Sequence, residues 1–484
     1  MTAGGTRGEP RRPGTEAAGS AFIQSFVDDG LGNSAYLVGS RQSKVAVLID
    51  PLRDVDPYLA AANRLGVRIT HVLDTHLHND FLSGAREVAA RIGVEIGASA
   101  EAGLEFEHRP LSDGDRLPLG ELEIGVMSTP GHTPEHISFT LDGAGRAPIA
   151  LFSGGALIVG GAARTDLLGQ DVTESLARKL YHTIHDRLLA LPDEVVVCPT
   201  HGAGSFCAAP ASEERTTTIG LERKRNPLCQ PQTEDHFVTR ALEGLSSFPV
   251  YFRELRPINR RGPKVLGGLP AVAPRPPSEI RDWIDRGGTV LDVRPPRDFA
   301  HGHIPGAYGI ALDAGLTTWA GWLIPFGTPL VLVVKGPDDL EGAVRELIRI
   351  GFDDLHGYLE GGMRGWTAAG FPVTRIETIS PIALQDRLGS ERAPVVIDVR
   401  FDDEWADGHI PGAVHIENGK LPLEALNIRE DSPIVVHCQT RNRSTAGISV
   451  LARRGYRNVM LLDGGFSAWK AAGLEVERES GGTS

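Results

Sequence analysis

A chain of 484 residues with 41% hydrophobic content is long enough for two to four domains, each burying its own core. Its 49 basic and 62 acidic residues leave a formal charge of −13, with no basic run beyond Arg223-Lys224-Arg225, which argues against nucleic acid as a partner. Four cysteines (Cys198, Cys207, Cys229, Cys438) are too sparse for a disulfide framework and suit a reducing, cytoplasmic setting. Residues 1–19, rich in Gly, Pro, Arg and Glu, have no apolar signal core and read as a disordered tail.

Phe22 to Val27 and Ala35 to Val38 read as a first hairpin, and Val45 to Ile49 as a strand ending at Asp50-Pro51. Tyr58 to Leu65 has helical spacing until Gly66 stops it, and the β-branched run Val67 to Leu73 follows. That strand runs into Thr75-His76-Leu77-His78-Asn79-Asp80, whose metal-competent side chains at i, i+2 and i+4 share one side of extended backbone. A helix, Gly84 to Ile92, packs behind this loop.

The same pattern recurs twice. The alternating run Leu122 to Met127 leads to Thr129-Pro130-Gly131-His132-Thr133-Pro134-Glu135-His136, and Glu194 to Val197 leads to Cys198-Pro199-Thr200-His201-Gly202. Strand-then-His three times over is how a sheet scaffold gathers ligands from distant sequence onto one metal; a chance accumulation of polar loop residues explains it less well. Between them, Ala147 to Ala163 is uncharged but interrupted by four glycines and shorter than a membrane span, so it reads as buried strand and loop. Leu176 to Leu191 reads as a helix.

Residues 263–277, rich in Pro and Gly, read as a linker. Beyond it the sequence repeats at about one hundred residues: Leu291-Asp292-Val293-Arg294 to Ala307 recurs as Ile397-Asp398-Val399-Arg400 to Ala413, and Gly361-Gly362 to Trp366 as Gly464-Gly465 to Trp469. So long a period means two tandem domains. In the second, the strand Ile434 to His437 runs into Cys438-Gln439-Thr440-Arg441-Asn442-Arg443-Ser444 and a helix from Thr445 to Arg454. A thiol there meets backbone N–H groups and the positive end of a helix dipole. In the first, Lys335 is expected at the cysteine's place.

The histidine motifs, together with Thr-His-Leu-His-Asn-Asp-Phe-Leu-Ser-Gly and His-Gly-Ala-Gly-Ser, resemble the metallo-β-lactamase superfamily, and within it bacterial persulfide dioxygenases fused to sulfurtransferase domains. The repeats resemble rhodanese domains. The resemblance implies α/β and α+β multidomain architecture: an αββα metallo-β-lactamase sandwich over residues 20–262, then doubly wound rhodanese α/β domains over 278–376 and 380–479. The superfamily's histidine after the aspartate is Phe81, and its Phe-Ser/Thr-Gly-Asp motif reads Phe152-Ser153-Gly154-Gly155. The expected metal set is therefore His76, His78 and His132, holding one Fe(II) per chain with Zn as the alternative, and an aspartate restored at 155 is expected to strengthen it.

By the same resemblance Cys438 carries sulfane sulfur as a persulfide, with Arg441, Arg443 and Ser444 binding the substrate anion. The implied activity is oxidation of a low-molecular-weight persulfide by O2, coupled to transfer of sulfane sulfur from persulfide or thiosulfate to a thiol acceptor. The alternatives are a glyoxalase II-like thioester hydrolase and a degenerate scaffold serving the sulfurtransferase. No nucleic-acid or membrane partner is expected, and self-association is left open.

Overall fold

The computed structural model describes residues 14–15, 19–143, 145, 147–209, 213–313 and 315–478; most of the tail expected over residues 1–19 lies outside them. The chain forms two compact units, Met1–Leu245 with Phe252–Gly268, and Ser246–Tyr251 with Leu269–Ser484. Among the described residues no helix is long and apolar enough to cross a membrane.

In the first unit a mixed seven-stranded sheet runs in the order Gly14–Thr15, Ala21–Asp28, Asn33–Ser40, Val45–Ile49, Arg68–Leu73, Glu95–Ser99, Arg109–Leu111. A six-stranded sheet runs Thr217–Thr218, Val196–Pro199, Pro148–Gly154, Ile137–Asp142, Leu122–Ser128, Arg116–Leu119. Alternate residues of each face the other: Val38, Val47, Ile49 and Leu73 pack against Ile124, Val126, Phe139 and Phe152. Phe139 and Phe152 are cross-strand partners, so one register sets both in this layer.

The outer faces carry helices. Asp56–Leu65 and Ala85–Ile92 join the parallel strands Val45–Ile49, Arg68–Leu73 and Glu95–Ser99, each helix stopped by a left-handed glycine, Gly66 (φ 65°) or Gly93 (φ 69°). On the other side Leu180, Ile184 and Phe237 cover Leu151 and Val197. This is the αββα sandwich expected from the motifs. The helix expected over 176–191 is instead Gln170–His182, a wide turn of π geometry at Thr183–Arg187, and a tight turn at Leu188–Ala190. At the irregularity Thr183 Oγ1 donates to the carbonyl of Pro130 (2.7 Å), beside the His132 loop.

In the second unit two five-stranded parallel sheets share one strand order. The first is Pro274–Arg275, Leu355–Leu359, Leu330–Val333, Thr289–Asp292, Tyr308–Gly309. The second is Glu377–Ile379, Val459–Leu462, Ile434–His437, Val395–Asp398, Val414–His415. The last residues of the stretch read as a linker thus supply an edge strand and the start of the helix Pro277–Asp285, because a proline at an edge strand or a first helical turn forfeits no hydrogen bond.

Phe139→Ala is expected to cost the first unit about 3–5 kcal/mol. All six tryptophans lie between residues 283 and 469, so the shift should show in far-UV circular dichroism during urea unfolding and not in tryptophan fluorescence.

Candidate functional site

The strand ends of both sheets in the first unit meet at Asp50. Its carboxylate accepts from the backbone N–H of Thr75 (2.7 Å) and from the Thr75 hydroxyl (2.8 Å), and the Thr200 hydroxyl also donates to it. His78 Nε2 stands 3.3 Å away. Burial alone would raise this carboxyl, but His78 and these hydrogen bonds outweigh it and hold it below its usual range. Burial would likewise lower His78, yet the carboxylates of Asp50, Asp74 and Asp80 raise it.

Around this anchor three histidines turn the same nitrogen inward. His76 Nδ1–H donates to Thr75 Oγ1 (2.8 Å), whose own proton goes to Asp50. His132 Nδ1–H donates to the Arg164 carbonyl (2.6 Å), and His201 Nδ1–H to Asn33 Oδ1 (3.0 Å). Each neutral ring therefore keeps an unprotonated Nε2. That of His132 is buried without a hydrogen-bond partner, and those of His76 and His201 face each other at 3.4 Å.

Two nitrogen lone pairs at that distance repel unless a cation lies between them. Burial and the neighbouring imidazoles push His76 well below its ordinary value, and burial, reinforced by His78, pushes His201 down to about 3, so a proton does not fill the role. The donor set fits a metal ion, and imidazole suits both iron and zinc.

One nitrogen each of His76, His78 and His201 lie within 4.8 Å of one another, as do those of His132 and His201 with Cys207 Sγ. Beside the expected trio His76, His78 and His132, whose rings lie together, the structure places His201 between the two groups, where a bridge pairs it with Asn33 at the start of Asn33–Ser40. His136 is spent on the fold, its Nδ1 on Thr129 Oγ1 (2.8 Å) and its Nε2 accepting the Gly155 N–H (3.0 Å). Beside the cluster a cavity of about 20 Å³, lined by Asp74, His76, His78 and Asn259 among others, has room for a water.

A second layer holds the loops in place. Glu135 is buried, accepts from Leu77 N–H (3.0 Å) and forms a forked pair with Arg256 (3.1 and 2.7 Å). Asn259 donates to the carbonyls of His78 and Phe81 (both 2.8 Å) and accepts from Ser83 N–H (2.9 Å). Arg256 and Asn259 lie on the helix Phe252–Arg261, which sequence reasoning missed; Pro257 inside it hides it from any propensity argument. Asp166 grips Arg164 (2.6 and 2.7 Å) and so steadies the carbonyl that orients His132.

In the second unit Cys438 is buried at the end of Ile434–His437, and the helix behind it is Asn442–Arg453, three residues earlier than expected. The carbonyls of Cys438 and Gln439 accept from Phe466 N–H (2.9 Å) and Ser467 N–H (3.1 Å). This seats the loop on the Gly464-Gly465 turn, where a Cβ on Gly465 (φ 61°) would lie 2.5 Å from the Cys438 carbonyl. Ser444 Oγ is 3.4 Å from Cys438 Sγ and donates to the Arg441 carbonyl (2.9 Å). The two arginines expected to meet substrate are paired here, Arg441 with Asp463 and Arg443 in a fork on Glu404. Asn442 Nδ2 donates to Asp313 Oδ2 of the preceding domain.

The register corrects the expected counterpart of the cysteine. Val333 pairs with Asp292 as His437 pairs with Asp398, so buried Val334, and not exposed Lys335, occupies the place of Cys438.

The family model of the Metallo-beta-lactamase superfamily matches residues 28–201, and that of the Rhodanese-like domain matches residues 276–369 and 380–472. Human persulfide dioxygenase ETHE1, mitochondrial, is 32% identical over 183 residues, 37% of this chain and 68% of the relative. This chain belongs to the metallo-beta-lactamase superfamily. A hydroxyacylglutathione hydrolase of Xanthomonas euvesicatoria pv. vesicatoria is 30% identical over 245 residues, covering 50% of this chain and 86% of that enzyme. The crystal structure of a metallo-beta-lactamase from Staphylococcus aureus aligns with a TM-score of 0.64 at 30% identity, over 70% of this chain and 99% of its own.

Against the superfamily pattern, Phe81 fills the place of a histidine and stacks on His78 (ring centroids 4.1 Å apart). At the place of the aspartate, a Cβ on Gly155 would lie 2.6 Å from His132 Cδ2 and 2.9 Å from Ala163 Cβ. The expectation that Gly155→Asp strengthens the site is therefore replaced by its opposite: the side chain displaces the His132 ring, and metal retained after dialysis should fall.

The cluster also sets a pH dependence. Burial, before the neighbouring groups, lowers His132, His136 and His201 to about 3, while the unfolded chain takes up these protons near 6.5. Above that pH the three contribute nothing; as pH falls from about 6.5 towards 3 the unfolded state gains protons that the folded state refuses, and stability is lost. Urea unfolding of metal-free protein should show the first unit weaker at pH 5.5 than at 7.5, by at most about 1.4 kcal/mol per histidine and pH unit.

Proposed function

We propose that the chain is a two-site sulfur enzyme, in which the histidine cluster binds one iron and oxidises a low-molecular-weight persulfide with O2, and Cys438 transfers sulfane sulfur. The observation that carries the first part is the set of inward, unprotonated Nε2 atoms on His76, His132 and His201, in a chain similar to a persulfide dioxygenase. A bound iron would supply the redox chemistry that joins O2 to the terminal sulfur. The chain's own part is to orient the imidazoles through Thr75, Arg164 and Asn33, and to exclude bulk water by burying them.

At the second site the Cys438 thiolate attacks the outer sulfur of thiosulfate, sulfite leaves, and the Cys438 persulfide passes that sulfur to a thiol acceptor. The loop N–H groups and the start of the helix Asn442–Arg453 favour the anion; Arg441 and Arg443 reach substrate by exchanging their carboxylate partners for it.

A second reading, a metal-dependent thioester hydrolase, is favoured by the similarity to hydroxyacylglutathione hydrolases. Phe81 stacked on His78 weighs against it, since an apolar ring stands where a second metal would need a ligand.

Metal analysis and O2 uptake on anaerobically purified protein decide between the readings. Iron with persulfide-dependent uptake is expected; zinc with thioesterase activity would replace the first reading by the second. Cys438→Ser should abolish transfer of sulfur from thiosulfate to cyanide and leave O2 uptake in place, and His76→Ala should do the reverse. Loss of uptake in Cys438→Ser with free persulfide supplied would overturn the two-site scheme.

A further inference from the structure

Building on the reading that the histidine cluster holds a metal, we propose that the Cys207 thiolate is a ligand of that metal and takes the role left open by the missing carboxylate at position 155. Cys207 Sγ and one nitrogen each of His132 and His201 lie within 4.8 Å of one another, and all three side chains are buried to 1% exposure or less. His132 Nδ1 is committed to the Arg164 carbonyl, so the nitrogen it offers is Nε2, which is buried and has no hydrogen-bond partner.

The backbone explains how sulfur reaches the carboxylate's neighbourhood. Ala163 N–H donates to the Gly155 carbonyl (2.9 Å), and Arg164 N–H to the Cys207 carbonyl (2.9 Å), so Cys207 lies two chain segments from Gly155 on the lattice that surrounds the His132 ring. A Cβ at 155 would strike that ring, so the two residues flank the segment 163–164 whose Arg164 carbonyl orients the same histidine.

Charge points the same way. The imidazoles are neutral donors and the nearby carboxylates already have partners, Asp50 in Thr75, Thr200 and His78, and Asp80 Oδ2 in Asn33 Nδ2 (2.7 Å) with His201 Nδ1 at 3.5 Å. A thiolate adds one negative charge and a soft donor that iron and zinc both accept. On binding, the S–H proton passes to solvent and a sulfur–metal bond forms, with no change of oxidation state. The other buried thiols of this unit, Cys198 and Cys229, sit within apolar clusters and have no such company.

The test uses the full-length chain reconstituted with Co(II) alone. A near-ultraviolet thiolate-to-cobalt charge-transfer band is expected in the wild type, lost in Cys207→Ser and kept in Cys438→Ser. Cys207→Ser should also weaken cobalt binding by more than the roughly tenfold that loss of a supporting partner costs. X-ray absorption on the zinc-loaded wild type needs no variant and should show one sulfur at about 2.3 Å. Bound metal with only nitrogen and oxygen neighbours, or a band that survives Cys207→Ser, overturns the proposal and leaves the metal reading standing; a chain that binds neither cobalt nor zinc overturns both.

Discussion

The buried carboxylate of Asp50 is the constraint on which the first unit's site depends. A charge with almost no solvent exposure must be satisfied from all sides. Here the satisfying groups are the main chain and hydroxyl of Thr75, the hydroxyl of Thr200 and the ring of His78. These come from the ends of strands in both sheets, so one anion locks the edge of the sandwich together. Asp50 adopts φ 49°, a left-handed conformation that costs a residue with a Cβ about 1 kcal/mol and turns the chain sharply out of its strand.

Rigidity then passes outward through hydrogen bonds with fixed direction. Thr75 relays the Asp50 charge to His76 and so fixes which of its nitrogens is protonated. Arg164 and Asn33 do the same for His132 and His201 through a carbonyl and an amide. Such outer partners set ring orientation as much as the ligands themselves do. Glu135 with Arg256, and Asn259 with the backbone at His78, Phe81 and Ser83, close the assembly from a helix far along the chain.

The second unit holds one fold twice, with Cys438 at the end of a central strand in one repeat and Val334 at the same register position in the other. Both repeats keep the aspartate–arginine fork after the first central strand, Asp292 with Arg294 and Asp398 with Arg400, and a tryptophan whose indole N–H caps a carbonyl six residues on. These groups hold strand to turn and turn to helix, and none of them needs a thiol. The shared scaffold thus carries Val334 in one repeat and Cys438 in the other, and Asp313 of the first repeat holds Asn442 in the loop that carries Cys438.

Taken alone, the sequence determined the tandem repeat, the strand-then-histidine loops and the place of Cys438, because these are written in periodicity, glycine and proline punctuation and local spacing; the αββα sandwich and the doubly wound domains followed from the resemblance those motifs carry. It also located Phe81 and Gly155 as departures from the superfamily pattern. Only the tertiary structure decided which histidines share a point: His136, four residues from His132, is consumed by Thr129 and Gly155, whereas His201, 125 residues from His76, faces it at 3.4 Å. The exchange of Lys335 for Val334 has the same origin, since strand register is set by pairing across the sheet. Arg256 and Asn259 carried no local signal at all. Their roles come from hydrogen bonds and approaches between segments far apart in sequence, and spacing along a chain does not encode these.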